Sequence, residues 1–252
     1  MNPQTLQEAK LLWNSTRTSI EYTRNVDVVI CPPFTYIQPL TKLKRPKNMY
    51  LGAQNVAHVE KGAFTGEVSA SQVKDVGASY VIVGHSERRY PLRQLADGGG
   101  ETDEIISKKL IEAFKVGLTP VLCIGEKERD REASYLSLIK EQLKGALTGL
   151  SKKDLVGIHI AYEPVWAIGK SYRESMNPTD IHEMVLLIRK ALSELFGIDI
   201  GNGARLIYGG SVESENATDV LNIGNVTGFL VGHASLSKEE FGKILKAADV
   251  KS

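Results

Sequence analysis

Short apolar, β-branched runs alternate with longer stretches of helical periodicity along the whole chain. Seven runs read as strands, at residues 28–31, 49–53, 80–84, 119–124, 157–162, 205–208 and 228–231. They are nearly continuous in apolar character, which is the pattern of parallel strands covered on both faces rather than of half-solvated ones. Helical periodicity lies between successive runs and after the last, and the chain also opens with a helix. Residues 5–20 place Leu6, Ala9, Leu11, Leu12 and Trp13 on roughly one face. That makes eight helices and seven strands. A closed barrel of eight strand–helix pairs requires one more strand before Met1. Asn177-Pro178 predicts an N-cap followed by proline in the first turn, ahead of Ile181, Met184, Val185 and Ile188. Residues 90–100, ending in Asp97-Gly98-Gly99-Gly100, read as a flexible loop and not as a domain linker, because the alternation continues across them. One domain, residues 1–252, is expected.

Composition narrows the partners. The chain has 252 residues, 42% hydrophobic and 24% charged, with a formal net charge of +1. Its lysines and arginines are dispersed, so nucleic acid and anionic membranes are not expected partners and a small molecule is. No run reaches the roughly 18 apolar residues of a membrane span, and the polar start lacks a signal-peptide core. Cys31 and Cys123 each sit in a strand-like run, as small buried thiols and not as a disulfide or metal ligands. A reducing, cytoplasmic location is expected.

In a parallel α/β protein, reactive groups lie just beyond the carboxyl ends of the strands. Four places qualify. After 80–84 comes His85-Ser86-Glu87-Arg88-Arg89, which reads either as a merely packed or exposed histidine or as an imidazole at a helix start, where the dipole disfavours imidazolium and a neutral ring can donate to a carbonyl oxygen. His58, His159 and His182 read as packed or exposed histidines. After 157–162 comes Glu163-Pro164-Val165-Trp166-Ala167-Ile168-Gly169-Lys170, a carboxylate followed by an apolar segment. Covering that carboxylate would raise its pKa into the range of a general base, and an exposed Trp-Ala-Ile segment is expected to fold down as a lid. Gly209-Gly210-Ser211-Val212 and Gly232-His233-Ala234-Ser235 follow the last two strands. Their backbone N–H groups and the helix starts behind them could hold a phosphate, the usual position for one in barrels.

Together with Ala53-Gln54-Asn55, Gly62-Ala63-Phe64-Thr65-Gly66-Glu67, Gly100-Glu101-Thr102-Asp103-Glu104 and Pro120-Val121-Leu122-Cys123-Ile124-Gly125-Glu126, these motifs resemble the triosephosphate isomerase family in content and order over essentially the whole chain. The resemblance implies a (β/α)8 TIM barrel and the interconversion of glyceraldehyde 3-phosphate and dihydroxyacetone phosphate through an enediolate, without metal or organic cofactor. It assigns Glu163 as the proton shuttle between carbons and neutral His85 as the electrophile. This family is itself the standing illustration of both roles and of the lid, so they are inherited here. By the same resemblance Gly169, Gly210, Ser211, Gly232 and His233 hold the phosphate, and Ser86, Glu87 and Glu101 support the site. The loop around Thr65 reaches a neighbouring subunit of a homodimer.

The sequence also departs from the family. Family members begin with a strand ending in Asn-x-Lys-Met-Asn, whereas this sequence starts at Met1-Asn2, so strand one and the catalytic Asn and Lys are expected to be missing and two sheet edges open. A truncated or non-catalytic barrel that binds triose phosphate or a protein is the alternative reading. The spacing between Arg89 and Gly100 is longer than usual. Gly169-Lys170-Ser171-Tyr172-Arg173 replaces the usual second lid hinge, and His233 stands where glycine is common, its side chain expected in solvent.

Overall fold

The computed structural model describes residues 2–91, 99–171 and 173–249, so most of the long loop after Arg89, and Tyr172 of the lid hinge, lie outside the described residues. The elements run α1 (Leu6–Ile20), β1 (Val28–Ile30), α2 (Phe34–Thr41), β2 (Met49–Ala53), α3 (Ala70–Asp75), β3 (Tyr80–Val83), α4 (Ser86–Arg89), α5 (Asp103–Lys115), β4 (Thr119–Ile124), α6 (Ser134–Leu147), α7 (Lys152–Leu155), β5 (His159–Tyr162), α8 (Pro178–Phe196), α9 (Ile198–Gly203), β6 (Arg205–Tyr208), α10 (Ala217–Asn222), β7 (Gly228–Phe229) and α11 (Lys238–Asp249), with 3₁₀ turns at Val165–Ala167 and His233–Leu236. All seven expected strands form, and they pair in parallel in chain order, β1 to β7, in one curled sheet. Chain-order pairing with helical crossovers is the winding of a TIM barrel. The outer edges of β1 and β7 pair with no strand among the described residues.

Several strands stop earlier than their apolar runs. β1 ends at Ile30 because Cys31 leads into Pro32 and Pro33, which have no N–H for a ladder. The run from 157 begins as a strand only at His159, since Gly157 is still in the turn, with φ +71°. β7 is reduced to Gly228–Phe229, although the Leu230 N–H still donates to the Tyr208 carbonyl at 2.8 Å. Beyond the eight expected helices, the described residues form three short ones, α4, α7 and α9. One or two turns carry too little periodicity to register against the longer elements beside them.

Burial along the strands alternates more than the sequence suggested. Val81, Val83, Leu122, Ile124, Ile160, Tyr162, Leu206 and Tyr208 belong to the large core between sheet and helices. On the opposite face Val121, Cys123 and Ala161 pack with Tyr80, Ile82, Ile207 and Leu230, several of which are only half-buried. A third cluster joins Trp13 and Ile20 of α1 to Val28, Met49 and Leu51 of the first two strands and to Leu245 of α11. Here the expected face of α1 needs correcting. Ala9, Trp13, Thr16 and Ile20 are buried, at spacings of four, three and four residues, whereas Leu11 is exposed. Through this cluster α1 packs on α11, and the Asp249 carboxylate accepts the N–H groups of Arg24 and Asn25 at 2.8 and 2.9 Å. The first and last helices therefore meet although the first and last strands do not pair.

Helix starts follow their caps. The Asn177 side chain accepts the Asp180 N–H at 2.9 Å with proline in the first turn, and Ser69 forms a reciprocal capping box with Gln72. No helix among the described residues is long and apolar enough to cross a membrane. Trp13 has no exposed surface. Replacing it with alanine is expected to cost about 3–5 kcal/mol by guanidinium chloride unfolding; an unmoved midpoint would mean that α1 is not docked.

Candidate active site

β3, β4, β5 and β6 end side by side, and each end delivers a reactive or supporting group. Glu163 follows β5 directly. Its N–H donates to the Ile124 carbonyl at 2.8 Å, which continues the β4–β5 ladder to the catalytic end of the sheet. Its side chain is 2% exposed. Room for it comes from two glycines. A Cβ on Gly125 would lie 1.7 Å from the Glu163 carbonyl oxygen, and one on Gly209 would lie 2.8 Å from Glu163 Cγ. Glycine is therefore required at both positions by close approach and not by an unusual φ.

Only one carboxylate oxygen is well satisfied. Oε2 accepts the Ser86 N–H at 2.9 Å, whereas Oε1 is buried and has no aligned hydrogen bond. His85 Nε2 sits 3.1 Å from Oε1 without hydrogen-bond alignment. Burial pushes the Glu163 pKa above the usual carboxylate range, and His85 and the Ser86 N–H oppose that rise only in part. Imidazole and carboxylate thus face each other.

The state of the ring follows from its other nitrogen. His85 caps α4, and Nδ1 accepts the Glu87 N–H at 3.3 Å, so Nδ1 carries a lone pair and the proton of a neutral ring resides on Nε2, toward Glu163. α4 is only four residues long, so this single hydrogen bond, rather than a long helix dipole, sets the tautomer. Glu87 contributes its backbone, since its carboxylate is 89% exposed.

Supporting residues lie one layer out. Arg89 is buried, and its Nε donates to the Gly84 and Cys123 carbonyls at 3.0 and 3.1 Å while Nη1 meets Asp103 at 2.6 Å. It ties the ends of β3 and β4 to the start of α5. Glu101 accepts from Arg88 and from Lys109 Nζ at 2.6 Å, and Lys109 also reaches Asn55 Oδ1 at 2.7 Å. Burial lowers the Lys109 pKa, with Glu101 opposing. Neither Arg89 nor Lys109 stands out in the sequence, where one is the end of a basic pair and the other a helix lysine.

The segment after Glu163 folds down only in part, since Ile168 stays 39% exposed. Ala167 is buried, and the Trp166 indole donates to Glu126 Oε1 at 3.0 Å. Glu126, with no exposed surface, also accepts from the Tyr162 hydroxyl at 2.9 Å and pairs with Arg129 at 3.0 Å. The Arg129 guanidinium lies 5.5 Å from the Trp166 ring centroid. The Ser211 hydroxyl donates to the Ala167 carbonyl at 2.9 Å, which joins this segment to the loop after β6. Gly210 is buried, Ser211 half-buried, and Gly169, Gly232 and His233 are exposed, the last as expected. The helix starts expected behind these loops are weaker than the sequence suggests. α10 begins only at Ala217 and spans six residues, and a 3₁₀ turn follows Gly232. An anion there would meet loop N–H groups rather than a helix end. Thr65 lies on an exposed loop. Among the described residues no three His, Cys, Asp or Glu side chains gather as metal ligands.

The family model for triosephosphate isomerase matches residues 1–248. The chain belongs to the triosephosphate isomerase family. It is 41% identical over 236 residues to a triosephosphate isomerase of Alkaliphilus oremlandii, spanning 93% of this chain and 91% of the relative. It is also 40% identical over 243 residues to one from Aquifex aeolicus, spanning 96% and 94%. A third, from Dictyoglomus thermophilum, is 42% identical over 222 residues, spanning 88% and 86%. The isomerase therefore carries its family's sequence over nearly the full length of these relatives, with the resemblance and the parallel winding in agreement.

The Lys109–Glu101 pair is buried on both sides, at 3% and 9% side-chain exposure. Lys109→Met should cost about 3 kcal/mol by leaving Glu101 short of a partner in low dielectric, whereas Lys243→Met in the exposed pairs of α11 should leave the thermal midpoint unchanged; equal effects would place the Glu101 network at the surface.

Proposed function

We propose that Glu163 and His85 carry out the interconversion of glyceraldehyde 3-phosphate and dihydroxyacetone phosphate in this isomerase. The observation behind the proposal is the buried Glu163 carboxylate, with Oε1 unsatisfied and His85 Nε2 at 3.1 Å. Glu163 takes a proton from the carbon beside the substrate carbonyl. The electron pair left behind moves into the C–C bond, and negative charge gathers on the carbonyl oxygen, where the Nε2–H of neutral His85 stabilises it. Proton exchange between the two oxygens through His85 and return of the Glu163 proton to the neighbouring carbon complete the isomerisation. The raised pKa makes Glu163 a stronger base than an exposed carboxylate, at the cost of losing it at low pH.

The phosphate is proposed to sit on backbone N–H groups of Gly169, Gly210, Ser211, Gly232 and His233. β6 and β7 are adjacent, so their loops start side by side, and the Ser211–Ala167 bond connects the loop after β6 to the segment 164–170. That segment acts as the lid. Its closure excludes water, which strengthens the His85 interaction and protects the enediolate from phosphate elimination. Ser86 holds the base through its N–H, and the Glu87 N–H and the Glu101 network support the site. We further assign residues 1–252 to one barrel domain that works as a homodimer in a reducing cytoplasm. Phe64 is 45% exposed beside Thr65 and packs edge-to-face on His58 at 6.3 Å, a surface suited to cover by a second copy. Both cysteines are free, with thiol pKa values raised by burial.

Glu163→Gln should lower kcat in a coupled assay by about 10²–10⁴-fold with the thermal midpoint retained; undiminished turnover would remove Glu163 as the base. In the parent chain kcat/KM should fall as the pH drops through the raised Glu163 pKa, above the ordinary carboxylate value of 4.5, because only the ionised form accepts the proton. An acid limb at or below the ordinary value would contradict this. Ser211→Asp should raise KM by roughly tenfold or more through like-charge repulsion, and an unchanged KM would take Ser211 out of the phosphate site.

A further inference from the structure

In a parallel ladder the N–H and C=O of one residue point to one neighbouring strand and those of the next residue to the other. At the end of β4, Ile124 and Glu126 face β5, since their carbonyls accept the N–H groups of Glu163 and Val165 at 2.8 and 2.9 Å. Gly125 must then face the β3 side. β3 has already ended at Val83, and its pairing with β4 stops at Leu122. Gly125 therefore has a buried donor and a buried acceptor with no strand to meet them.

Gln142 of α6 fills that place. It is 2% exposed, its Oε1 accepts the Gly125 N–H at 2.9 Å, and its Nε2 donates to the Gly125 carbonyl at 3.0 Å. The two backbone partners fix which end of the amide is which. Gln142 Nε2 also donates to the Tyr90 hydroxyl at 3.2 Å, and that hydroxyl reaches the same carbonyl at 3.4 Å. Gly125 is the residue whose Cα presses on the Glu163 peptide, and Glu126 next to it anchors Trp166. The end of β4 therefore holds the base on one side and the start of the lid on the other.

We propose that Gln142 is a positioning residue for the isomerisation, setting the Gly125–Glu126 turn that holds Glu163 in place and ties down Trp166, with Tyr90 bracing the same amide. The proposal rests on Glu163 being the base. Gln142 touches none of the groups assigned to the phosphate. Its loss should therefore appear in kcat and not in KM, since small displacements of a catalytic group are costly in rate.

The test uses the full chain in the coupled assay. Gln142→Met keeps the unbranched shape but removes all three hydrogen bonds, and should lower kcat about tenfold with KM changed less than about twofold. Tyr90→Phe removes only the outer brace and should lower kcat about two- to threefold. Gln142→Glu adds a pH readout, with kcat referred at each pH to the fraction of variant that circular dichroism shows folded, so that loss of stability on ionisation is separated from loss of positioning. As an acid the introduced carboxyl can still donate to the Gly125 carbonyl, and as a carboxylate it repels it. The ratio of its kcat to the parent's should thus fall as pH rises. Dividing by the parent removes the titration of Glu163 itself. If Gln142→Met does not fold, Tyr90→Phe and this ratio decide. Parental kcat in Gln142→Met or Tyr90→Phe, or a pH-independent ratio, overturns the positioning role. If that happens while Glu163→Gln is inactive, the base assignment stands and only the role of Gln142 falls; if Glu163→Gln is fully active, the base is wrong whatever Gln142 does.

Discussion

A carboxylate held out of water at the end of a strand is the demand around which the catalytic end of this sheet is built. Burying an ionised carboxylate costs several kcal/mol unless neighbouring dipoles and charges offset it. At Glu163 the offset is incomplete by construction. One oxygen has the Ser86 N–H, the other has only an unaligned imidazole, and the pKa rises as a result. A fully satisfied carboxylate would be more stable and a poorer base. The local instability must be supported by rigidity elsewhere, and the surrounding residues supply it. Gly125 and Gly209 let the backbone close in, Arg89 ties together the ends of β3 and β4, and the buried Glu126 orders Tyr162, Trp166 and Arg129.

A shared geometric reason puts these residues where they are. Parallel strands of unequal length leave unpaired backbone groups where the shorter strand stops, and such groups cannot remain buried and unbonded. β3 ends before β4, and the groups so exposed on β4 are the Cys123 carbonyl and both groups of Gly125. Side chains from later elements take them, Arg89 from α4 and Gln142 from α6. The carboxyl end of such a sheet is consequently where buried polar side chains must gather, and also where loops leave room for a substrate. If Glu163 is the base as proposed, support for the fold and support for the chemistry are the same hydrogen bonds.

The sequence made some of this legible and hid the rest for physical reasons. Glu163 and His85 stood out as candidates because each follows an apolar run at a strand end, and those runs located all seven strands. Runs overstated strand lengths where proline or a turn glycine closed them, as at Cys31 and Gly157. Leu11 misled because a strongly apolar residue can sit on the solvent side of a helix whose buried stripe is defined by Trp13 and Ile20. The helix starts behind the phosphate loops looked stronger in sequence than α10 and the 3₁₀ turn are, because glycine marks a turn without fixing where the next helix begins. Gln142 and Lys109 had no sequence signal and Arg89 was legible only as the end of the His85 motif, since a polar residue on a helix normally faces water and only the tertiary arrangement shows that these face buried backbone or carboxylate.

With residues 164–170 as the proposed lid, the hydrogen bonds around them couple the proposed binding loop to the proposed base. The Ser211 hydroxyl, on the loop proposed to bind phosphate, holds the Ala167 carbonyl, while Trp166 next to it is held by Glu126, two residues beyond the strand that pairs with the Glu163 backbone. Movement of residues 165–167 must exchange at least one of these hydrogen bonds for another, because Ala167 is buried and the Trp166 N–H would otherwise be left without its partner. A phosphate settling among the Gly210 and Ser211 N–H groups competes for the same loop that Ala167 now restrains. On the proposed assignment, substrate binding and lid position are in this way linked through Ser211, and lid position and the setting of the base are linked through the Gly125–Glu126 turn.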